Sequence, residues 1–310
     1  MMYLDTPPTL IGTRIFTSMP EEFRHRGEPS SWGRANKPGQ QVDCFIEGPA
    51  FDAQGNLYIV DIPYGRIFRI SPQGEWSLAA QYDGQPNGLK IAADGRVLIA
   101  DYVRGLMQLD PATGEVSCLL SGRNGESFKG INDLAIASNG DIYFTDQGQT
   151  GLQDPTGRVY RRNANGSLEC LLDRGVSPNG LVLDRTETVL YVAMTRDNAV
   201  WRMPLTSQGG TAKVGRFCSM FGTSGPDGMA MDNAGNLAVA HASLGHVFLF
   251  APNGELTARI KSCAGPTCTN VAYGGANNLQ LFITESHSGS ILIADMSNPG
   301  IKLPRQTPNI

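Results

Sequence analysis

The chain has 310 residues, a formal net charge of −4 and no run of basic residues, which argues against a nucleic acid as its partner. Only 17% of the residues are charged, whereas 37 are glycine and 19 are proline. This composition favours many short strands joined by tight turns, and no window shows the sustained apolar period of a long helix. No stretch approaches the roughly 18 consecutive apolar residues of a membrane span.

The N-terminal region is expected to contribute one strand and one loop. Its first residues, MMYLDTPPTL, lack the basic and apolar regions of a secretory signal, so we expect a cytoplasmic protein. The stretch LIGTRIFTS, residues 10–18, has the composition of a strand. The polar segment 21–43 is expected to form a loop or lid near a functional site. Phe23 and Trp32 in this segment, and Tyr64 beyond it, could supply apolar walls.

One pattern of about 15 residues recurs along the rest of the chain. Each copy opens with a polar residue, continues as a short apolar strand, turns near the eighth position and returns as a second apolar strand. Further strand-like runs follow each pair. The copies start 40 to 48 residues apart, at Glu47, Asn87, Asn132, Asn179, Asp227 and Asn270.

Repeats of four antiparallel strands at this spacing are typical of β-propeller blades. The sequence therefore predicts an all-β protein, a six-bladed β-propeller with four antiparallel strands per blade, as a single domain over residues 1–310. The sixth copy has only three strands, so residues 10–18 are expected to supply the fourth and close the ring. Two tandem β-sandwiches are the competing architecture, but they would not explain six equivalent turns.

The residues that open the six copies should face a common centre, because the first strand of each blade lines the central channel. All six are Glu, Asp or Asn. Carboxylates that converge there repel each other unless a positive charge lies between them. Oxygen ligands without Cys or His suit a hard divalent cation, above all Ca²⁺. Each such residue alone could instead bind the backbone of its own turn.

Several residues near this centre are candidates for substrate binding. Asp101, Asp146 and His241 end second strands, where each could contact a substrate or bind a neighbouring blade. Asn87 is expected to be partly structural or to touch the substrate. His287 lies in the loop after the last second strand and is a further candidate. The long blade-three loop QGQTGLQDPTG could form part of a lid.

Four motifs carry a resemblance to a known family. EGPAFD, INDLAIASNGDIYFTD, SPNGLVLD and GPDGMAMDNAGNL resemble motifs of the SMP-30/gluconolactonase/luciferin-regenerating-enzyme-like family, in the same order and spacing. The resemblance implies a six-bladed propeller with one divalent metal at the channel mouth, usually calcium, with Mg²⁺, Mn²⁺ or Zn²⁺ as alternatives. It also implies the metal ligands Glu47, Asn132, Asn179 and Asp227.

The function implied by the resemblance is hydrolysis of a lactone, with the metal polarising the ring carbonyl and a carboxylate activating water. Asp227 and Asp133 are both candidates for this base. Gly130 stands where animal aldonolactonases carry an arginine. Ala230 and Ala272 replace ligands of a second calcium in the phosphotriesterase branch, which disfavours organophosphates as native substrates.

Two other functions remain open at this stage, hydrolysis of a different ester such as a phosphotriester and a non-catalytic propeller stabilised by calcium. The oligomeric state also remains open. The six cysteines include no C-x-x-C pair, and Cys118 and Cys170 are expected to be buried free thiols. Cys263 and Cys268 are close enough in sequence to form a disulfide.

Overall fold

The computed structural model describes residues 3–207 and 209–301, which fold into a six-bladed β-propeller. Residues 1, 2, 208 and 302–310 of the predicted domain 1–310 lie outside the described residues. Each first strand contacts the first strands of both neighbouring blades, so that these strands surround a central channel. The predicted all-β architecture with four antiparallel strands per blade is confirmed.

The strands of the six blades follow the predicted repeat. The first strands are Ile46–Phe51, Pro86–Ile91, Ile131–Ile136, Pro178–Leu183, Pro226–Met231 and Cys268–Gly274. The second strands are Leu57–Asp61, Val97–Asp101, Ile142–Asp146, Val189–Met194, Leu237–His241 and Gln280–Glu285. The third strands are Arg66–Ile70, Gly105–Leu109, Gly157–Arg162, Ala199–Pro204, His246–Phe250 and Ser290–Asp295. The fourth strands of blades one to five are Trp76–Gln81, Val116–Leu120, Leu168–Gly175, Gly215–Ser219 and Leu256–Lys261.

The N-terminal stretch forms two strands where we expected one. Arg14–Ser18 pairs antiparallel with Ser290–Asp295 and closes blade six, as predicted. Thr9–Gly12 instead pairs parallel with Leu256–Lys261 and adds a fifth strand to blade five. The N-terminus therefore contacts blades five and six, and it closes the ring within blade six.

The cores lie between the blades. In the described residues, each of six apolar clusters combines side chains from two neighbouring blades. Because every second strand is enclosed on both faces, its side chains are almost completely buried, as in Leu57–Asp61 and Val97–Asp101. This explains why the second strands are continuous apolar runs rather than alternating ones.

Helices are few and short. Among the described residues they are Glu21–Phe23, Ser31–Asn36, Ile62–Tyr64, Thr195–Asp197 and Ala276–Asn278, of which only Ser31–Asn36 is α-helical. A two-residue hairpin, Gly122–Arg123 with Glu126–Ser127, completes the secondary structure of the described chain. None of these helices has both the length and the apolar composition needed to cross a membrane.

All six cysteines are free thiols, so Cys263 and Cys268 do not form a disulfide in this structure. The prediction that Cys118 is buried was wrong, because its strand is the outer, solvent-facing strand of blade two. Cys170 occupies the corresponding outer strand of blade three and is half-buried.

A buried acid at the end of a second strand holds the segment that enters the first strand of the same blade. Asp61 accepts a hydrogen bond from the backbone N–H of Phe45, which immediately precedes the first strand of blade one (2.7 Å). Equivalent bonds join Gln85 to Asp101, Gly130 to Asp146 and Thr267 to Glu285, at 2.8 to 3.0 Å. These acids therefore fix the start of the first strand in blades one, two, three and six.

Asp101 should be essential for stability because its carboxylate is fully buried and satisfies four donors. The hydroxyl of Tyr82 and the backbone N–H groups of Gln85, Val103 and Arg104 all donate to it. We expect Asp101→Ala to lower the free energy of unfolding by about 3 kcal/mol or more, since it leaves these buried donors without an acceptor.

The matched control is Asp94→Ala, which removes a half-exposed turn carboxylate bonded to Arg96. It should cost less than about 1 kcal/mol. Urea unfolding followed by circular dichroism measures both variants. Equal losses in the two would contradict the structural role of Asp101.

Candidate active site at the channel mouth

β-Bulges direct the residues that open the six repeats, called the ring residues below, toward the central channel. In blades two to five the pairing of the first strand with the second skips the residue that opens the repeat. In blade one the interruption directly follows Glu47, and in blade six it directly precedes Asn270. In blade three, for example, Ile131 pairs with Asp146 and the regular register resumes only at Leu134. Asn132 and Asp133 therefore lie in a bulge, which redirects their side chains out of the regular pleat. The pair is polar because it faces the axis rather than the core between blades.

The predicted ring is correct in five blades and displaced by one residue in blade six. The backbone N–H of Asn270 donates to Thr284 Oγ1, just as that of Asp133 donates to Thr145 Oγ1. Asn270 is thus equivalent to Asp133, and Thr269 takes the ring position. The hairpin of blade six contains the helix Ala276–Asn278 in its turn and is longer than the other hairpins. Counting back from this turn therefore placed the ring position one residue too late.

A cavity of about 150 Å³ opens at this end of the channel. All four predicted metal ligands, Glu47, Asn132, Asn179 and Asp227, line this one cavity, together with Asn87. The other lining residues are Trp32, Asn36, Phe45, Ile62, Tyr102, Gln147 and Gln149. The structure therefore brings side chains from five blades and the helix Ser31–Asn36 to one place.

Hydrogen bonds hold several of these side chains. Oε2 of Glu47 accepts from the N–H of Gly48 (2.5 Å) and from Nδ2 of Asn270 (2.8 Å). Nδ2 of Asn132 donates to Oε1 of Gln147 (2.8 Å). Because the amide nitrogen of Asn132 is already engaged, its oxygen remains the atom that can act as a ligand.

The electrostatics of the mouth call for a positive charge. Burial, followed by repulsion from Asp133, raises the pKa of Glu47 to about 7. Burial and the neighbouring Glu47 and Asp133 carboxylates raise the pKa of Asp227 well above its ordinary value. Burial likewise raises the pKa of Asp133. Three buried acids thus disfavour one another's charged forms, and a bound cation would relieve this repulsion.

The residues fit a hard divalent cation. The predicted set supplies two carboxylates and two amides, and every ligand atom is oxygen, which suits Ca²⁺. No group of three or more His, Cys, Asp or Glu side chains that could hold a metal occurs in the described part of the chain. That result is expected for this set, since half of its ligands are asparagines.

Asp133 lies one step deeper in the channel and does not line the mouth. One of its oxygens accepts from the N–H of Leu134 (2.8 Å) and lies 3.7 Å from Nζ of Lys90. Its other oxygen is 3.5 Å from Nδ2 of Asn270. The side chain covers Gly88, where a Cβ atom would approach Oδ1 of Asp133 to 2.2 Å. Glycine at position 88 makes room for this buried carboxylate.

Four of the predicted substrate-binding residues lie outside the cavity wall. The carboxylates of Asp101 and Asp146 hold the segments that enter their first strands. His241 is fully buried, and its ring contacts the carbonyl of Phe221 (2.7 Å). His287 is exposed in the loop beyond Glu285. For these four we therefore propose no contact with substrate; Asn87 is the one predicted substrate residue in the wall.

A count of six residues past the turn positions Glu187 and Asn278 places the ends of the second strands of blades four and six at Ala193 and Thr284. In the structure these strands end one residue later, at Met194 and Glu285. The carboxylate of Glu285 accepts from the N–H groups of Thr267 and Ser288.

The segment 21–43 reaches the site through its helix. Trp32 and Asn36 line the cavity. Phe23 instead packs on Phe68 in the core between blades six and one, with ring centroids 5.0 Å apart. Tyr64 stacks on His25, with ring centroids 4.2 Å apart. Of the three predicted apolar walls, only Trp32 is in place.

Sequence reasoning missed several wall residues. Gln147 and Gln149 come from the blade-three loop that we predicted as part of a lid, but the individual side chains carried no signal. Tyr102 directly follows the second strand of blade two, and its ring covers Gly130, where a Cβ atom would lie 2.5 Å from Tyr102 Cε2. Tyr102 thus occupies the space beside the position at which the resembling aldonolactonases carry arginine.

Comparison with known proteins places this architecture in a family. Residues 45–287 match the SMP-30/Gluconolactonase/LRE-like region. The chain belongs to this family. A gluconolactonase from Zymomonas mobilis is 32% identical over 276 residues, covering 78% of this chain and 76% of that protein. Lactonase drp35 from Staphylococcus aureus is 29% identical over 240 residues, covering 72% and 70%.

Solved structures of other proteins share the fold. A gluconolactonase from Xanthomonas campestris superposes with a TM-score of 0.72 at 23% identity, covering 91% of this chain and 98% of that one. The calcium-binding regucalcin from Agrobacterium tumefaciens superposes with a TM-score of 0.74 at 21% identity, covering 95% and 98%. At these identities the likeness concerns the fold alone.

Removing one carboxylate should stabilise the metal-free chain at high pH. The pKa of Glu47 is raised from 4.5 to about 7, so its contribution to stability is present below about pH 4.5 and is lost as the pH rises through 7. We expect Glu47→Gln, measured with chelator, to unfold a few degrees above the parent at pH 8 and near it at pH 5. The difference corresponds to about 3 kcal/mol at most.

Glu75→Gln, on an exposed turn, is the control and should show no such pH dependence. Thermal unfolding by calorimetry provides the measurement. A Glu47→Gln protein that is less stable than the parent at pH 8 would refute the repulsion inferred here.

Proposed function

We propose that this protein hydrolyses a lactone at the channel mouth, with one divalent cation, most simply Ca²⁺, as its cofactor. The gluconolactonase and lactonase relatives support the choice of substrate. The observation that carries the proposal is that the oxygen-bearing side chains of Glu47, Asn132, Asn179 and Asp227 line one cavity. The repulsion between the carboxylates of Glu47 and Asp227 favours the binding of a cation between them.

The four side chains would hold the cation by charge and by dipole. Glu47 and Asp227 offset its charge, and Asn132 and Asn179 add neutral oxygens. When bound, the cation supplies a Lewis acid that polarises the lactone carbonyl and stabilises negative charge on its oxygen. Gln147 keeps the amide of Asn132 in the orientation that presents oxygen as the ligand atom.

Asp227 is the better placed of the two candidate bases. It lines the cavity, whereas Asp133 lies beneath it and is engaged by Leu134, Asn270 and Lys90. We assign Asp227 to accept the proton of the attacking water as the water oxygen bonds to the carbonyl carbon. The ring C–O bond then breaks, and the leaving alkoxide takes up the proton to give the hydroxy acid. Asp133 positions Asn270, which in turn holds Glu47.

The wall favours a small, neutral and hydroxylated lactone. Apart from Glu47 and Asp227, the described wall residues are uncharged, and none is cationic. Gln149 donates to the hydroxyl of Tyr102 (2.7 Å), which joins blades two and three at the rim. Asn87, Asn36 and Gln149 offer hydrogen bonds to hydroxyl groups, while Trp32 provides an apolar surface. A sugar lactone fits this wall better than a phosphorylated lactone, whose phosphate would find no cationic residue in the described wall.

Metal removal combined with a substrate panel tests the function. After exhaustive chelation, hydrolysis of glucono-lactone should fall by more than about 100-fold, and added Ca²⁺ should restore it. Mg²⁺, Mn²⁺ and Zn²⁺ are compared in parallel, with aliphatic, aromatic and phosphorylated lactones and one phosphotriester. Full activity in metal-free protein would refute the proposal. A Ca²⁺-dependent gain in melting temperature without hydrolysis of any lactone would instead indicate a binding propeller.

Two substitutions separate the proposed base from a ligand. Asp227→Asn should reduce kcat by about 100- to 10,000-fold, and saturating Ca²⁺ should not restore it, because the proton acceptor is lost. Glu47→Gln should lose metal affinity and regain much of its activity at high Ca²⁺. Steady-state kinetics with metal analysis measures both. An Asp227→Asn enzyme that keeps its metal and full turnover would exclude Asp227 as the base.

A further inference from the structure

A second, larger cavity opens at the opposite end of the channel. Its volume is about 720 Å³, against about 150 Å³ for the mouth. The later residues of the first strands line it, including Ala50, Ala135, Leu181, Met229 and Val271. We call this cavity the distal chamber. Its size and mostly apolar wall are those of an ordinary small-molecule site.

A layer of hydrogen-bonded side chains separates the two cavities. From the mouth inward, Glu47 accepts from Asn270, whose amide nitrogen is also 3.5 Å from Asp133. Asp133 in turn lies 3.7 Å from Nζ of Lys90, and Lys90 lines the distal chamber. Neither Asp133 nor Asn270 lines either cavity. A molecule in the distal chamber would therefore not share space with a substrate in the mouth.

Lys90 is the polar group at the inner end of the distal chamber. Its ammonium carries three N–H donors, of which one contacts the carbonyl of Leu89 (3.1 Å) and another faces Asp133. The two acidic rim residues are engaged elsewhere, since Asp184 accepts from the N–H groups of Thr188 and Val189, and Glu187 accepts from Ser138. Lys90 can thus offer one hydrogen bond to a molecule held by apolar contacts.

The charges around the distal chamber favour a neutral ligand. Asp133 already balances Lys90, so an added anion would meet no unpaired cation at the inner end of the chamber. The rim carries Asp184 and Glu187 against a single Arg185, which further opposes an anion. An organic cation would lie close to the ammonium of Lys90. The wall itself offers apolar surface from Phe51, Ile136, Val182, Ala230 and Ala272, all of them partly exposed.

The geometry points to the distal chamber as a second binding site, for a neutral, compact apolar molecule that bears one hydrogen-bond acceptor toward Lys90. An alicyclic ketone or ester has this chemistry. The inference does not depend on the reaction at the mouth.

Camphor, a neutral alicyclic ketone, is the probe, and calorimetric titration with ligand-detected NMR on the full-length chain provides the measurement. Camphor should bind with one site per chain. Bornylamine and camphorsulfonate share its skeleton but carry opposite charges, and each should bind at least tenfold more weakly.

Ala230→Phe and Ala272→Phe fill the chamber and should each weaken binding at least tenfold, while Ala112→Phe on an exposed turn should not. Lys90→Met should weaken binding roughly tenfold, and Lys90→Arg should retain most of it.

Several results would overturn this site. The first is that camphor shows no saturable binding. The second is that camphorsulfonate or bornylamine binds as tightly as camphor or more tightly. The third is that Ala230→Phe and Ala272→Phe both fold and bind camphor as the parent does. Binding that is lost in Trp32→Ala but kept in Ala230→Phe would place the ligand in the mouth and would refute the proposal. Binding that occurs only after deletion of residues 302–310 would also refute it, because the chain's own terminus would then be the occupant.

Discussion

Three carboxylates, those of Glu47, Asp133 and Asp227, are buried together where the six first strands converge, and their repulsion is the constraint on which the site depends. Desolvation and like charge both oppose ionisation of these groups. Lys90 lies beside Asp133 and offsets part of this repulsion. The described wall of the mouth cavity holds no cationic residue beside its two carboxylates, and we propose that this asymmetry favours the binding of a divalent cation there.

The polar residues that open the first strands and the acids that end the second strands have different roles, because the two sets lie at different distances from the channel axis. Residues in the bulges of the first strands face the axis, so their oxygens remain available to a ligand. Acids at the ends of second strands lie between the axis and the outer strands, where backbone N–H groups must be satisfied. Asp101 and Glu285 are therefore structural, although they are chemically identical to residues of the inner ring.

The sequence allowed the blade count, the strand order and most of the inner ring to be predicted, because each depends on local spacing that repeats six times. Thr269 was missed because the longer hairpin of blade six shifts the register, and a one-residue shift exchanges one side-chain direction for the other. For Asp146 and His241 the sequence left substrate contact and a structural role equally open, since their partners are backbone groups brought close only by folding. Lys90 was missed because a single lysine in a strand gives no sign that it faces a buried acid.

The most direct test of the central claim is a crystal structure of the protein grown with Mn²⁺ or Ca²⁺, with the ion located by its anomalous scattering. We predict one strong peak per chain at the mouth, with oxygens of Glu47, Asn132, Asn179 and Asp227 within about 2.6 Å of it. A peak at any other place, or an ion at the mouth that contacts fewer than three of these side chains, would contradict the account.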